Sequence, residues 1–488
     1  MANIEPTNLL FIMSDEHQAR ALGCAGHEIV KTPNIDKLAA RGTRFSNAYS
    51  NSPMCVPSRA SFATGQYVHR IGNWTNAHPY DGRVEAWGHR LLEAGYGSTS
   101  IGKLHYRFET DPCGFEQMII PLNVVGGIGA PRHAVKDPIA PALSQSAFAT
   151  KVGPGDSSYQ NYDLDITERT CAWLKEKAAN PSGKPWTLFS SLVCPHFPLV
   201  VRQEFLDLYD VGAMPLPKDN GEQKTYHPWF QAMRQATNDD SHFTDESRRL
   251  GIACYFALCS FVDANVGRII ETLEETGLSA STRVIYASDH GENLGARGMW
   301  GKSNMFEESV AIPMIIAGPD IPTGKVCKTP VSLVDAYPAI LQASGLGDGQ
   351  PGGTHPGRSL IDVACAPEHY DRTVFSEYHG MGAVTAGFMI RKGRWKYNCY
   401  AGFEDAELYD LESDPEERHD LGTDPAHAGV RAALHAELLK ICDPAEVETR
   451  SKSEQQAVVE KHGGRDAVLA RGAFQGSPVP GEAPKFVT

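Results

Sequence analysis

The chain lacks a cationic balance: 45 Lys and Arg face 59 Asp and Glu, a formal net charge of −14. That excludes a general attraction to nucleic acid or to an anionic membrane, so a bound anion must be captured by a local cluster of positive groups. Also lacking is a basic amino-terminal segment followed by a long apolar stretch. In MANIEPTNLLFIMSDEHQ the apolar run Leu9 to Met13 is too short for a signal h-region or a membrane span. It reads as a first strand, and a cytoplasmic location is expected, with no nucleic-acid and no membrane partner. The 11 cysteines are odd in number and include no CxxC pair. This speaks against a disulfide framework or a thiolate zinc site and for reduced, mostly buried thiols. Internal repeats are lacking too.

What is present is a globular composition, 41% hydrophobic and 21% charged. The 488 residues suit a large α/β domain with a smaller one. Short apolar runs alternate with helical patterns, the signature of a mostly parallel sheet covered by helices. Four runs end in residues that bind metals or anions. NLLFIMSDEH (8–17) brings Asp15, and YGSTSIGKLHY (96–106) brings Lys103 and His105. WTLFSSLVCPHFP (186–198) brings His196, and TRVIYASDHGEN (282–293) brings Asp289 and His290. In open α/β sheets ligands bind beyond the carboxyl ends of the strands, so these groups are expected to converge on one site.

YFALCSFVDANVGRIIETLEETG (255–277) carries apolar residues at helical spacing with Gly277 as its stop, which reads as a core helix. IPMIIAGP (312–319) reads as a further buried strand. After about residue 370 the pattern changes. AVTAGFMIRKGRWKYNCY (383–400) reads as antiparallel strands joined at Lys392–Gly393, ahead of a helix near 427–441. The expected organisation is a large domain over 1–370, a small α+β subdomain with an antiparallel sheet over 371–445, and a polar tail over 446–488. The tail is expected to fray or to dock, a neighbouring subunit included.

Cys55 is oddly placed for a core thiol. In NSPMCVPSRASFATGQ (51–66) it sits in a polar, turn-rich setting. Pro57 suits a helix start, because its missing N–H would be unpaired there anyway. The free N–H groups and positive dipole end of that helix then face Cys55, and Arg59, at i+4, returns to the same face. Such a position suits a negatively charged nucleophile or a bound oxyanion.

Cys55-Val56-Pro57-Ser58-Arg59, with Ser61, Thr64 and Gly65, resembles the sulfatase signature C-x-P-S-R-x-S-x-x-T-G, and the resemblance runs over roughly residues 5–445. It implies an alkaline phosphatase-like α/β fold and hydrolysis of sulfate monoesters, arylsulfatase-like or choline-sulfatase-like. It also implies that a formylglycine-generating (sulfatase-maturing) enzyme oxidises Cys55 to formylglycine. Hydrated, that aldehyde is a geminal diol. One hydroxyl, made acidic by a divalent metal, attacks sulfur; the second then loses its proton and expels sulfate by C–O cleavage.

The resemblance implies that Asp15, Cys55, Asp289 and His290 hold one cation, Ca2+ or Mn2+. It gives Arg59 the charged diol, Lys103 the sulfate oxygens and His105 a place beside the nucleophile. His196 falls to the sulfate or leaving oxygen and Lys302 to the bridging oxygen. Asn76 falls to a substrate oxygen, with Asn73 as the competing position. Glu16 stands where many arylsulfatases have a second aspartate, and is left without a role.

The Asp-His pair with a downstream lysine is most similar to the choline sulfatase and phosphonate monoester hydrolase branches. Hydrolysis of phosphonate monoesters or phosphodiesters at the same site is therefore the alternative, since these share the single negative charge of a sulfate monoester. A non-catalytic anion- or metal-binding homologue and a Cys-His hydrolase are further readings. Trp74, Trp87 and Trp300 are candidates for an aryl or quaternary-ammonium pocket, or else core. His69, His78, His89 and His379 read as structural. Tail packing in those branches implies a homo-oligomer, a dimer or tetramer.

Overall fold

The structure, a computed structural model, describes residues 6–140, 149–220, 224–237, 239–347, 355–474 and 476–487. Its centre is an eight-stranded sheet. In chain order the strands are β1 (Asn8–Asp15), β2 (Gly42–Phe45), β3 (Gly97–Lys103), β4 (Gln117–Leu122), β5 (Trp186–Pro195), β6 (Thr282–Ser288), β7 (Met314–Ala317) and β8 (Lys325–Cys327). In space they lie β8-β2-β7-β6-β1-β5-β3-β4. The strands from β6 across to β4 are mutually parallel, and β7 alone runs against its neighbours. β7 is the strand within IPMIIAGP; a short apolar run marks burial but carries no direction.

Strand alternation sorts β1 between two apolar layers. Leu10 and Ile12 face one layer, where α2 (Ser158–Ala179) and α3 (Asp245–Glu275) bring Ile166, Leu174, Val262 and Ile269. Leu9, Phe11 and Met13 face the other, where α1 (Cys55–Thr64) and α4 (Ala336–Ala343) bring Phe62, Tyr337 and Ile340. α3 starts ahead of the apolar stripe read from the sequence, because Thr244 caps it through Ser247. By length and composition α3 could cross a membrane, but 83% of its apolar window is buried inside the protein.

The second sheet is antiparallel, in the order β9 (Val374–Tyr378), β10 (Gly387–Lys392), β11 (Trp395–Tyr400) and β12 (Glu407–Asp410). Gly393, at φ 57°, makes the tight turn between β10 and β11. α5 (Ala428–Ile441) follows, then α6 (Pro444–Lys461) and α7 (Gly464–Ala470). The 445/446 division expected from composition thus falls inside a helix. α6 buries only a narrow stripe, Pro444, Val447, Ser451, Gln455 and Val459, and two polar members hide it from a hydropathy reading. This stripe packs on its own chain. Val459 and Val468 meet Ala77, Ala134 and Val135, and Trp74 Nε1 donates to Glu454 Oε2 at 2.6 Å.

One glycine aims a site residue. Gly102, at φ 100°, sits where β3 slips register against β4 just before Lys103. A Cβ there would stand 2.3 Å from Ser191 O. Gly102→Ala is expected to cost about 1–3 kcal/mol, read as a lower urea midpoint at unchanged slope. A wild-type midpoint would show that β3 tolerates the side chain.

Candidate active site

The carboxyl ends of β1, β3, β5 and β6 meet the amino end of α1. Cys55 is itself the first residue of α1, two positions ahead of the Pro57 start expected. Pro57 lies within the first turn, where a missing N–H breaks no helix bond. Ser58 Oγ and Ser50 Oγ donate to Asp289 O at 2.7 and 2.6 Å, tying α1 to the loop after β6. Thr64 Oγ1 donates to Ala60 O at 2.8 Å, and Ser61 Oγ to Gln66 O at 2.6 Å. Gly65, at φ 63°, ends the helix, its N–H donating to Ser61 O. The signature residues are therefore the bonds that hold and stop one short helix.

Cys55 Sγ lies 3.1 Å from His290 Nε2 and 3.7 Å from Asp15 Oδ1. The ligand atoms of Asp15, Cys55, Asp289 and His290 lie within 4.8 Å of one another, and all four residues are buried. Arg59 bridges the two acids, with Nε donating to Asp289 Oδ2 at 2.8 Å and Nη2 to Asp15 Oδ2 at 3.0 Å. Its Nη1 donates to Lys103 O at 2.8 Å and Ser191 Oγ at 2.9 Å. Lys103 Nζ is 2.6 Å from Asp15 Oδ2. His105 borders the same cluster and is 5% exposed.

A second group stands beside the first. Glu16 Oε2 meets Lys302 Nζ at 2.8 Å and His196 Nε2 at 3.3 Å. Glu16, left without a role by the sequence, is the anion that holds Lys302. Alternation would send consecutive residues to opposite faces, but Glu16 takes φ 66° and turns back toward Asp15's side. His196 stands just past β5, whose end is fixed by Asp163 of α2, its carboxylate accepting from Val193 and Cys194 N–H at 2.7 and 2.8 Å.

The other expected residues are distributed differently. Asn76 Oδ1 accepts from Val56 N–H at 3.2 Å, at the amino end of α1, whereas Asn73 Nδ2 donates to His78 O at 2.7 Å. Trp74, Trp87 and Trp300 are all buried core, Trp300 stacked on Phe243 at 4.2 Å. His69 and His379 flank Glu377 at 3.0 and 2.9 Å, His78 pairs with Thr75 and His89 with Pro112 O. His133, which no motif marked, lies close enough to feel the charge of Cys55, and burial pushes it down to about 4.

Burial and the adjacent Asp15 push the Asp289 carboxyl up to about 6. Burial opposes the Asp15 charge as well, but Lys103, His196 and Arg59 outweigh it and hold that carboxyl well below its usual range. Burial opposes the His290 cation, yet Asp289 and Cys55 lift it to about 9. Burial and Asp15 work against a Cys55 anion, and Lys302, Lys103 and His290 together reverse that, holding it well below the ordinary thiol range.

The family model described as Sulfatase matches residues 7–346. The chain belongs to the sulfatase family. As a sulfatase it is a sulfuric ester hydrolase. A second model, N-sulphoglucosamine sulphohydrolase C-terminal, matches residues 295–443. The sulfatase is 30% identical over 443 residues to the choline-sulfatase of Rhizobium meliloti, covering 88% of this chain and 85% of that one. It is 29% identical over 433 residues to arylsulfatase K of Homo sapiens, covering 84% and 78%. Its fold matches the crystal structure of a phosphonate monoester hydrolase of Agrobacterium radiobacter with a TM-score of 0.71. That match covers 89% of this chain and 95% of the other at 23% identity, a likeness of fold alone.

Arg59 in this sulfatase is 1% exposed and shared by two buried acids. Arg59→Ala removes the cation that both carboxylates share and is expected to cost about 3–5 kcal/mol, measured by denaturant unfolding. Unchanged stability would mean that Lys103 and His290 suffice.

Proposed function

We propose that the chain hydrolyses sulfate monoesters with residue 55, in its formylglycine form, as nucleophile beside one divalent cation. The observation that carries this reading is the meeting of Asp15, Cys55, Asp289 and His290 within 4.8 Å. These residues fit a cation. Two adjacent buried carboxylates call for positive charge, as the rise of Asp289 to about 6 records. His290 Nδ1 donates to Gly291 O at 3.1 Å, which leaves Nε2 as the ligand atom. An oxygen-rich set with one imidazole suits Ca2+ or Mn2+. Bound there, the cation supplies Lewis-acid polarisation of adjacent oxygens.

The chain's own residues supply the rest. Arg59 keeps both acids oriented toward residue 55. Lys103 and Lys302 each spend a donor on a carboxylate; an ammonium carries three, so both have N–H left for sulfate oxygens. His196 Nδ1 donates to Phe197 O at 2.7 Å, so Nε2 faces the site next to Lys302, suited to the leaving oxygen. Asn76, whose Oδ1 accepts from Val56 N–H at the amino end of α1, is assigned to a substrate oxygen. The choline-sulfatase relative supports a sulfate ester as the substrate. Phosphonate monoesters and phosphodiesters form the second reading, because they carry the same single charge before the same two lysines.

Intact-mass measurement of the active protein should find it about 18 Da below the sequence mass, from CH2–SH becoming CHO. A full-mass protein with undiminished, alkylation-sensitive turnover would point to the thiolate instead. Chelation should abolish activity, and Ca2+ or Mn2+ should restore it; activity indifferent to chelators would remove the cation. On converted enzyme, 4-nitrophenyl sulfate should turn over faster than a bis-aryl phosphate diester or an aryl phosphonate. A diester rate far above the sulfate rate would replace the substrate while keeping the site.

A further inference from the structure

The carboxyl-terminal segment comes back to the site. Backbone pairing of Ala473–Phe474 with Phe486–Val487 closes a loop, and Gly476 and Ser477 within it run between Tyr159 of α2 and His105. Ser477 Oγ lies 2.7 Å from His105 Nε2, and Ser477 O accepts from Tyr159 OH at 2.8 Å. Gly476 leaves no space for a side chain, since a Cβ there would stand 2.6 Å from Tyr159 Oη. Val479, two residues on, packs against the apolar layer of α2 and α3. The Ser477 hydroxyl is thus presented from a main chain fixed on both sides.

His105 takes φ 57° and is buried. Its ring neighbours Cys55, and its Nδ1 has no hydrogen-bond partner among the described residues. A neutral imidazole has one N–H, so the role that Ser477 takes at Nε2 dictates the opposite role at Nδ1. A buried ring nitrogen left unpaired beside the nucleophile is the atom available to a reacting group. We propose that Ser477 is a positioning residue for His105, fixing the ring's tautomer and rotation so that Nδ1 is presented to the chemistry at residue 55. This rests on the reading of residue 55 as the nucleophile of an ester hydrolase.

The test uses full-length converted enzyme carrying Ser477→Ala or Ser477→Thr, each alone and with His105→Ala. The substrate is whichever of the three esters above the wild type turns over fastest. Ser477→Ala should lower kcat about three- to tenfold, the size of one lost neutral hydrogen bond, with KM nearly unchanged. Ser477→Thr should restore most of it, and Ser477→Ala should change nothing further once His105 is gone. Selective 15N-histidine NMR should show the His105 tautomer signature altered by Ser477→Ala and recovered by Ser477→Thr. An equal kcat loss with and without His105, or an unaltered tautomer signature, overturns the proposal. The NMR arm needs no turnover, so it judges Ser477 on its own; failure of the ester reading would show as a wild type inert on all three substrates.

Discussion

Asp15 and Asp289 leave adjacent strands side by side, fully buried, and Arg59 spans them from a helix on the sheet's face. Burial and like charge both oppose two anions in that arrangement, and only positive charge arriving from several directions makes it tenable. Arg59 comes from α1, Lys103 from β3 and His290 from the loop after β6. Because Arg59 stands one helical turn after Cys55, the bridge that relieves the acids also fixes the amino end of α1. The location of Cys55 is therefore a consequence of the acids' electrostatics.

The same logic extends outward. Glu16 answers Lys302 and His196, and behind it Glu292 is pushed well above the usual carboxyl range by burial and by Glu16. Its Oε1 accepts from Leu294 and Gly301 N–H, both at 2.7 Å, bracing the loop that carries Lys302. Further along, Arg297 donates to Glu308 at 2.8 Å, and Lys396 of β11 pairs with Glu307 at 2.9 Å and Glu417 at 2.8 Å. The antiparallel sheet contributes no member of the proposed catalytic set. It works by holding this loop through buried ion pairs, whose loss on one side alone would be severe.

The carboxyl-terminal helices complete the enclosure within one chain. α6 and α7 pack on the Pro131–Ala134 turn that carries His133, and Arg450 donates to His69 O at 2.8 Å. His105 is likewise reached from the end of the chain, by a serine remote from every motif.

The sequence by itself determined the elements whose chemistry is local: the short helix of the signature beside Cys55, the strand ends bearing Asp15, Lys103, His196, Asp289 and His290, and the Gly393 hairpin. These were legible because a signature of short-range bonds and an apolar run ending in charged residues both act over a few positions. Only the tertiary structure decided the reversed direction of β7, the partnership of Glu16 with Lys302, the burial of Trp74, Trp87 and Trp300, and the return of Ser477 to His105. Each depends on contacts between segments far apart in the chain, which neither periodicity nor spacing encodes. Glu16 needed a left-handed φ to escape strand alternation, and α6 buried a stripe too narrow and too polar to announce itself.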